Sequence, residues 1–536
     1  MKKLAERYAG ILLVAALCVP AGAKTHAKPH KKSLKAEIAA LLADPSVARA
    51  HWGIDVTTID GKPIYSLNEG QLFRPASNNK IFTTATAMAL LGGNTTFETK
   101  VVAKGVRNGT QTLTGDLVLI GAGDANISGR PIPYIAPALR PKPAPPAPPA
   151  LRYLEDMADQ IAKTGLKVVN GDVIGDDTLF PWEPYPQNWT IDDAVWGYGA
   201  PVSALTINDN QLKVTVTPGD APGKPATVTI DPAIPYYTVD VSALMTGPAK
   251  SGNHVQMDRM IGSRELRVYG SIAVDAQPDE EEVAIEDPAE YAAIALKSML
   301  EQRGIVITGK AIAKHRLSTD DQGLLRQSKA PIPGFDPHRV YGLGTRPDAL
   351  AKGGVVLATH TSIPVREDIK VTAKVSQNLH AELFLHQLGE SVLGNGSTAQ
   401  GARVIRSFLE SAGVDKDDFA FVDGSGLSGH DLVAPRATAR FLLYASTQPW
   451  FADWKAALPV GGEDGTLASR FAKPPLKDHL FAKTGTLGEA RALSGYLDCA
   501  SGRTVIFSIM VNNHTPGTHE DGKVMDEIVA AIAAAN

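Results

Sequence analysis

Residues 77–91 are apolar on most faces, with Ile81, Phe82, Ala85, Met88, Leu90 and Leu91 spread around the helical period and Gly92-Gly93 as a stop. A helix apolar all round lies inside a protein, so other elements must enclose it. The neighbouring sequence offers few: a helical pattern at 34–42 and strand-like runs at 53–59 and 63–67. The rest comes from the last third of the chain. Helices are expected there at 367–377, 381–393, 399–412, 435–446 and 520–535, and strands at 480–484, 490–497 and 504–511. Strands flanked by helices at both ends of the chain predict one α/β (α+β) domain in two pieces, 34–96 and 355–536. The roughly 250 residues between them, 97–354, read as an insertion, which a domain tolerates when the ends of the inserted segment lie close together.

The insertion has a β-rich texture. Asn108-Gly109 marks a hairpin between runs at 100–106 and 112–120. Residues 131–149 hold nine prolines in nineteen positions, the composition of a semi-rigid extended loop. A helix at 151–163, strand-like segments up to 274, a helix at 288–302 and a strand at 304–313 come next, then a Pro/Gly-rich stretch at 328–354. Two small domains are expected within it. With 536 residues, three or four domains would be ordinary; the pattern nests them instead. Hydrophobic residues at 44% and charged residues at 21% belong to a globular chain, not a disordered one. A net charge of −4 excludes nucleic-acid binding driven by net charge, and two cysteines exclude a disulfide framework or a thiolate zinc site.

Residues 1–23 read as an export signal. Lys2, Lys3 and Arg7 form a basic start, 11–19 is a nine-residue apolar run, and Ala21-Gly22-Ala23 offers small residues for cleavage. Nine apolar residues fall well short of the ~20 needed to span a bilayer. Bulky Leu17 and apolar Val19 around Cys18 argue against a lipoprotein site. Cleavage leaves a net charge of −6 and Cys499 as the one cysteine, so no internal disulfide can form. The mature chain would be periplasmic or otherwise extracytoplasmic. Its arm, 24–33, carries Lys24, Lys28, Lys31 and Lys32; a solvated tail is the plain account, and peripheral contact with an anionic membrane the sharper one.

Nucleophile-and-base spacing occurs at Ser77-Asn78-Asn79-Lys80, the chain's single Ser-x-x-Lys. Ser77 opens the buried helix, and Lys80 one turn on can reach its hydroxyl. A desolvated lysine there loses basicity and can accept a proton. By itself the motif is weak. Lys-Thr-Gly occurs twice: at 163–165 it is explained by Gly165 closing a helix, whereas Lys483-Thr484-Gly485 ends a strand run. On that strand Gly485 is expected to let a ligand lie close to the backbone. Ser-x-Asn occurs four times, and Ser376-Gln377-Asn378 alone falls in the C-terminal part before Lys483, where a helix is expected.

Their order, Ser-x-x-Lys, Ser-x-Asn and Lys-Thr-Gly with spacings of 299 and 107 residues, is similar to that of penicillin-recognising serine acyltransferases. The wide first gap resembles that of the low-molecular-mass class C penicillin-binding proteins, the D-alanyl-D-alanine carboxypeptidase/endopeptidase family. The stretches 171–177, 198–205, 423–428 and 458–467 look like that family too. Gln377 stands where the family often has Asp, and Gly429-His430 where it often has Arg and then polar residues.

The resemblance implies a penicillin-binding-protein/β-lactamase-like transpeptidase fold acting on peptidoglycan stem peptides and inhibited by β-lactam antibiotics as covalent inhibitors. It implies an acyl-enzyme on Ser77 with neutral Lys80 as base, Ser376 and Lys483 relaying the proton, and Asn378 on the substrate amide. Lys483, Thr484 and Thr486 would hold the terminal carboxylate, and the N–H groups of Ser77 and Thr486 would form the oxyanion hole. No cofactor and no metal are expected, and thirteen histidines include no His-Glu-x-x-His. A β-lactamase or esterase on the same fold is the first rival, opposed by the lack of Tyr-x-Asn or of Glu-x-x-x-Asn between the second and third motifs. A non-catalytic wall-binding homologue is the second. Carboxypeptidase against endopeptidase action, and the oligomeric state, stay open in the sequence.

Overall fold

In the computed structural model, Leu480–Leu487, Ala490–Asp498 and Thr504–Asn512 run as an antiparallel meander, and His51–Thr58 then Pro63–Leu67 complete a five-stranded sheet beside the last of them. The period of two explains the near-continuous apolar run of the central strand. Val505, Phe507, Ile509 and Val511 enter one core, while Ile506 and Met510 enter the other. The first core is roofed by the helices Leu34–Leu42 and Glu520–Ala535, which contribute Ile38, Met525, Ile528 and Ile532. The second lies under Val365–Lys374, Asn378–Leu393, Thr398–Ser411 and Pro435–Ser446, with the buried Lys80–Ala87 helix at its centre. The two ends of the chain therefore build one sheet between two helical layers. Residues 33–319, 322–343 and 346–536 are described; the expected signal at 1–23 and all but the last residue of the arm at 24–33 lie outside them. Among the described residues no helix is long and apolar enough to cross a membrane.

Two of the larger hydrophobic cores among the described residues lie in the insertion. In the first, a seven-stranded mixed sheet built on the hairpin Glu98–Asn108/Thr112–Ile120 packs against helices Arg152–Lys163 and Pro288–Gln302. In the second, two small sheets built around Gln211–Thr217 and Glu265–Ala273 share Val214, Val216, Leu266, Val268 and Ile272. The residues 131–149 form an extended loop with one 3₁₀ turn at Pro137–Leu139.

Three expectations need correction. The second catalytic piece does not begin at 355: Val355–Thr361 pairs antiparallel with Glu98–Asn108 inside the insertion's sheet. Exit and return strands thus lie side by side, and the seam is closed by Ser362 N–H to Phe97 O (2.8 Å) and Phe97 N–H to Ser362 Oγ (2.9 Å). The strand expected at 304–313 is two, Val306–Ile307 and Ala311–Arg316, pairing with different partners. The helix expected at 367–377 ends at Lys374, because Ser376 takes φ +61°.

Candidate active site

The nucleophile motif is not a plain helix start. Ala76–Asn79 forms a 3₁₀ turn that runs into the α-helix Lys80–Ala87. With three residues per turn, side chains at i and i+3 eclipse, so Ser77 and Lys80 stand one above the other. Lys80 Nζ lies 2.9 Å from Ser77 Oγ, 2.7 Å from Asn378 Oδ1 and 2.9 Å from the Ser425 carbonyl. The turn is strained: Ala76 holds φ +47°, a region costly for any residue with a Cβ. Asn78 donates to the Lys483 carbonyl at 2.7 Å and Asn79 to the Asp423 carbonyl at 3.0 Å, which ties the strained turn to its neighbours on two sides.

Lys483 reaches in from the edge strand Leu480–Leu487, its Nζ 2.9 Å from Ser376 Oγ and 2.9 Å from the Thr484 carbonyl. Ser376 occupies a three-residue link between two helices. Gln377 comes after it in extended conformation and accepts from Leu379 N–H at 2.9 Å, capping the Asn378–Leu393 helix. Asn378, the first residue of that helix, accepts from Lys80 and donates to the Tyr198 carbonyl at 2.9 Å. Ser77, Lys80, Ser376, Asn378 and Lys483 are thus brought together around one cleft. Half-buried Thr484 and exposed Thr486 follow Lys483 on the same strand, and Thr484 Oγ1 is 2.8 Å from Thr466 Oγ1. Gly485 has a packing task as well. A Cβ there would run into the Pro75 carbonyl and Ala76, so the missing side chain lets the strand press against the Ser77 turn.

Both lysines are fully buried, and burial pushes their basicity down. The environments differ below that. Lys80 faces the buried carboxylates Asp423, Glu382 and Asp431, which recover part of the loss and leave its pKa lowered to about 8. Lys483 has no such support, and the Lys80 charge depresses it further, well below an ordinary lysine. The protein's own groups therefore favour one ammonium, on Lys80. The carboxylates are themselves held by donors: Glu382 accepts from Gly424 and Ser425 N–H, and Asp423 from Trp189 Nε1, Gly426 and Ser428 N–H. Burial first, and then mutual repulsion with Asp423, raises Glu382 and Asp431. No group of His, Cys, Asp and Glu able to hold a metal ion is found among the described residues.

The model of the D-Ala-D-Ala carboxypeptidase 3 (S13) family matches residues 34–334 and 342–535. The chain belongs to that family. A D-alanyl-D-alanine carboxypeptidase of Actinomadura sp. (strain R39) is 32% identical over 90% of this chain and 81% of its own length. The carboxypeptidase of Haemophilus influenzae is 23% identical over 85% and 84%. The crystal structure of penicillin binding protein 4 from Haemophilus influenzae superposes over 93% of this chain and 99% of its own with a TM-score of 0.75 at 22% identity, and so shares the fold. This S13 chain is accordingly a serine-type D-alanyl-D-alanine carboxypeptidase.

Several residues of this S13 cleft carried no sequence signal of their own. Glu382, Asp423 and Asp431 converge beneath Lys80 from a helix and from a loop far along the chain, and Tyr198 and Trp189 come from the insertion. The stretches at 198–205 and 423–428 marked two of these places without assigning a role.

Proposed function

We propose that Ser77 attacks the carbonyl of the terminal D-Ala-D-Ala bond of peptidoglycan stem peptides, forming an acyl-enzyme that water then hydrolyses. The observation that carries this reading is the 2.9 Å contact between Ser77 Oγ and a fully buried lysine of lowered basicity. Burial lowers that lysine to about 8, and the acidic groups beneath it oppose the shift. A substrate carboxylate arriving at Thr484 and Thr486 changes the balance: negative charge beside Lys483 favours its ammonium, and a charged Lys483 lowers Lys80 further. Binding thereby readies the base. Ser376, 2.9 Å from Lys483, passes the proton to the leaving amine. Asn378 Nδ2 has a second hydrogen beside the one given to Tyr198, available to the substrate amide.

Strand period sets the oxyanion hole. Ala482 N–H points off the sheet edge to the Pro459 carbonyl, and two and four residues on the Thr484 and Thr486 N–H groups point the same way. Thr486 N–H with Ser77 N–H at the start of the 3₁₀ turn can receive the developing charge, an interaction typically contributing ~3 kcal/mol per donor. Penicillin acylates the same serine. The export signal read at 1–23 and a wall substrate together support a location outside the cytoplasm. Muropeptide digests with wild type and Ser77→Ala, read by mass spectrometry, test the assignment. Terminal D-alanine is expected from wild type alone, and identical digests would reject Ser77. Cleavage of cross-linked dimers in the same digest is the test of endopeptidase action.

A further inference from the structure

The proline-rich residues 131–149 are fastened to both sides of the cleft. At one end Arg130 forms an ion pair with the buried Asp209, which also accepts from Gln377 Nε2 at 3.3 Å, in the link that carries Ser376. The Arg130 carbonyl is pinned by Arg152 at 3.1 Å. Four residues on, the Tyr134 hydroxyl accepts from Gly465 N–H at 3.0 Å. Gly465 precedes Thr466, whose hydroxyl contacts Thr484 on the lysine-bearing strand. Asp464, on the other side of Gly465, is paired with buried Lys374, two residues before Ser376.

The loop has no core of its own: Ile135 is 42% and Leu139 74% exposed. Its position depends on those two pegs and on the stiffness that nine fixed φ angles impose. A stiff segment pegged beside Thr484 stands at the end of the cleft where the terminal carboxylate, and hence the leaving amino acid, would sit.

We infer that the 131–149 loop, held by Tyr134 on Gly465, is a wall at the leaving-group end of the cleft and a specificity determinant that admits a single terminal D-amino acid and rejects a leaving group continued into a second peptide strand. This rests on the acyl-transfer reading of the cleft and decides what that reading leaves open, the balance between carboxypeptidase and endopeptidase action. The wall acts by exclusion, which costs the wrong substrate binding without improving the right one.

Excision of the loop is geometrically allowed, because its ends touch: a Cβ on Gly129 would lie 2.5 Å from the Pro148 carbonyl. The experiment compares wild type, a variant with residues 131–147 replaced by Gly-Ser-Gly, and Tyr134→Ala. Each is given a synthetic pentapeptide ending in D-Ala-D-Ala and a purified cross-linked muropeptide dimer, with rates normalised to the fraction labelled by fluorescent penicillin. The ratio of dimer cleavage to D-alanine release is expected to rise at least about tenfold on excision, the lower range for steric discrimination in a pocket, and in the same direction for Tyr134→Ala. An unchanged ratio in variants that still take up penicillin overturns the wall. So does a wild type that cleaves the dimer as fast as the pentapeptide. A wild type releasing nothing from either peptide rejects the activity itself, a distinguishable result.

Discussion

At the residue scale the cleft is a problem of placing two buried amines within reach of two hydroxyls. Charge separates them, since Lys80 lies over carboxylates and Lys483 does not. Acylation of Ser77 by penicillin should fall as pH drops below about 8, because protonated Lys80 cannot accept the serine proton. An esterified penicillin, which brings no carboxylate to Lys483, should acylate more slowly and with its inflection at higher pH than the free acid; stopped-flow labelling from pH 5 to 10 reads both. Coincident profiles would reject the coupling between the lysines. Gly485 makes a steric prediction. Gly485→Ala meets Pro75 and Ala76, main chain and a short side chain with nowhere to yield, so the strand must move off the Ser77 turn. A loss of about 1–3 kcal/mol in stability is expected from overpacking, together with a fall in acylation rate. The motif residues themselves were legible because their spacing is local or their order distinctive. Glu382, Asp423 and Asp431 were not, because a buried carboxylate shows its purpose only when folding sets it under the lysine.

Among elements, several helix ends carry visible signals. Asp287 with Pro288 starts Pro288–Gln302, and Gly394 at φ +66° ends Asn378–Leu393. The link at 375–377 has no Gly or Pro, so the sequence reads as unbroken helix. It breaks because Ser376 takes a left-handed conformation and Gln377 turns its side chain to cap the next helix. Gln377→Ala removes that cap and its contact to Asp209, at an expected cost of about 1 kcal/mol. The acylation rate should fall more steeply than stability, since Ser376 and Asn378 flank the lost contact; thermal melts and acylation kinetics on one preparation separate the two. Equal, small effects on both would show that the link holds its shape without the cap.

For the whole molecule, the nested arrangement requires a seam between insertion and catalytic domain, and the seam near Ser376 is electrostatic. His380 is fully buried, 2.6 Å from Asp368 of the catalytic helices and 3.3 Å from Asp209 of the insertion, with Arg130 on the far side of Asp209. Nothing in the sequence distinguishes this histidine, because Asp368 lies across the broken link and Asp209 in a different domain. Although burial opposes its charge, the two carboxylates raise its pKa to about 9. A folded pKa above the unfolded value of about 6.5 means that the stabilisation is complete below pH 6.5 and lost as pH rises through about 9. Lys80, depressed to about 8, works in the opposite sense, so the wild-type profile alone is ambiguous. The difference between wild type and His380→Gln isolates the seam. That gap in Tm should be widest near pH 6 and narrow steadily toward pH 10. A gap independent of pH would mean that His380 is neutral in the fold, and that the insertion is held against the Ser376 link by Arg130, Asp209 and packing alone.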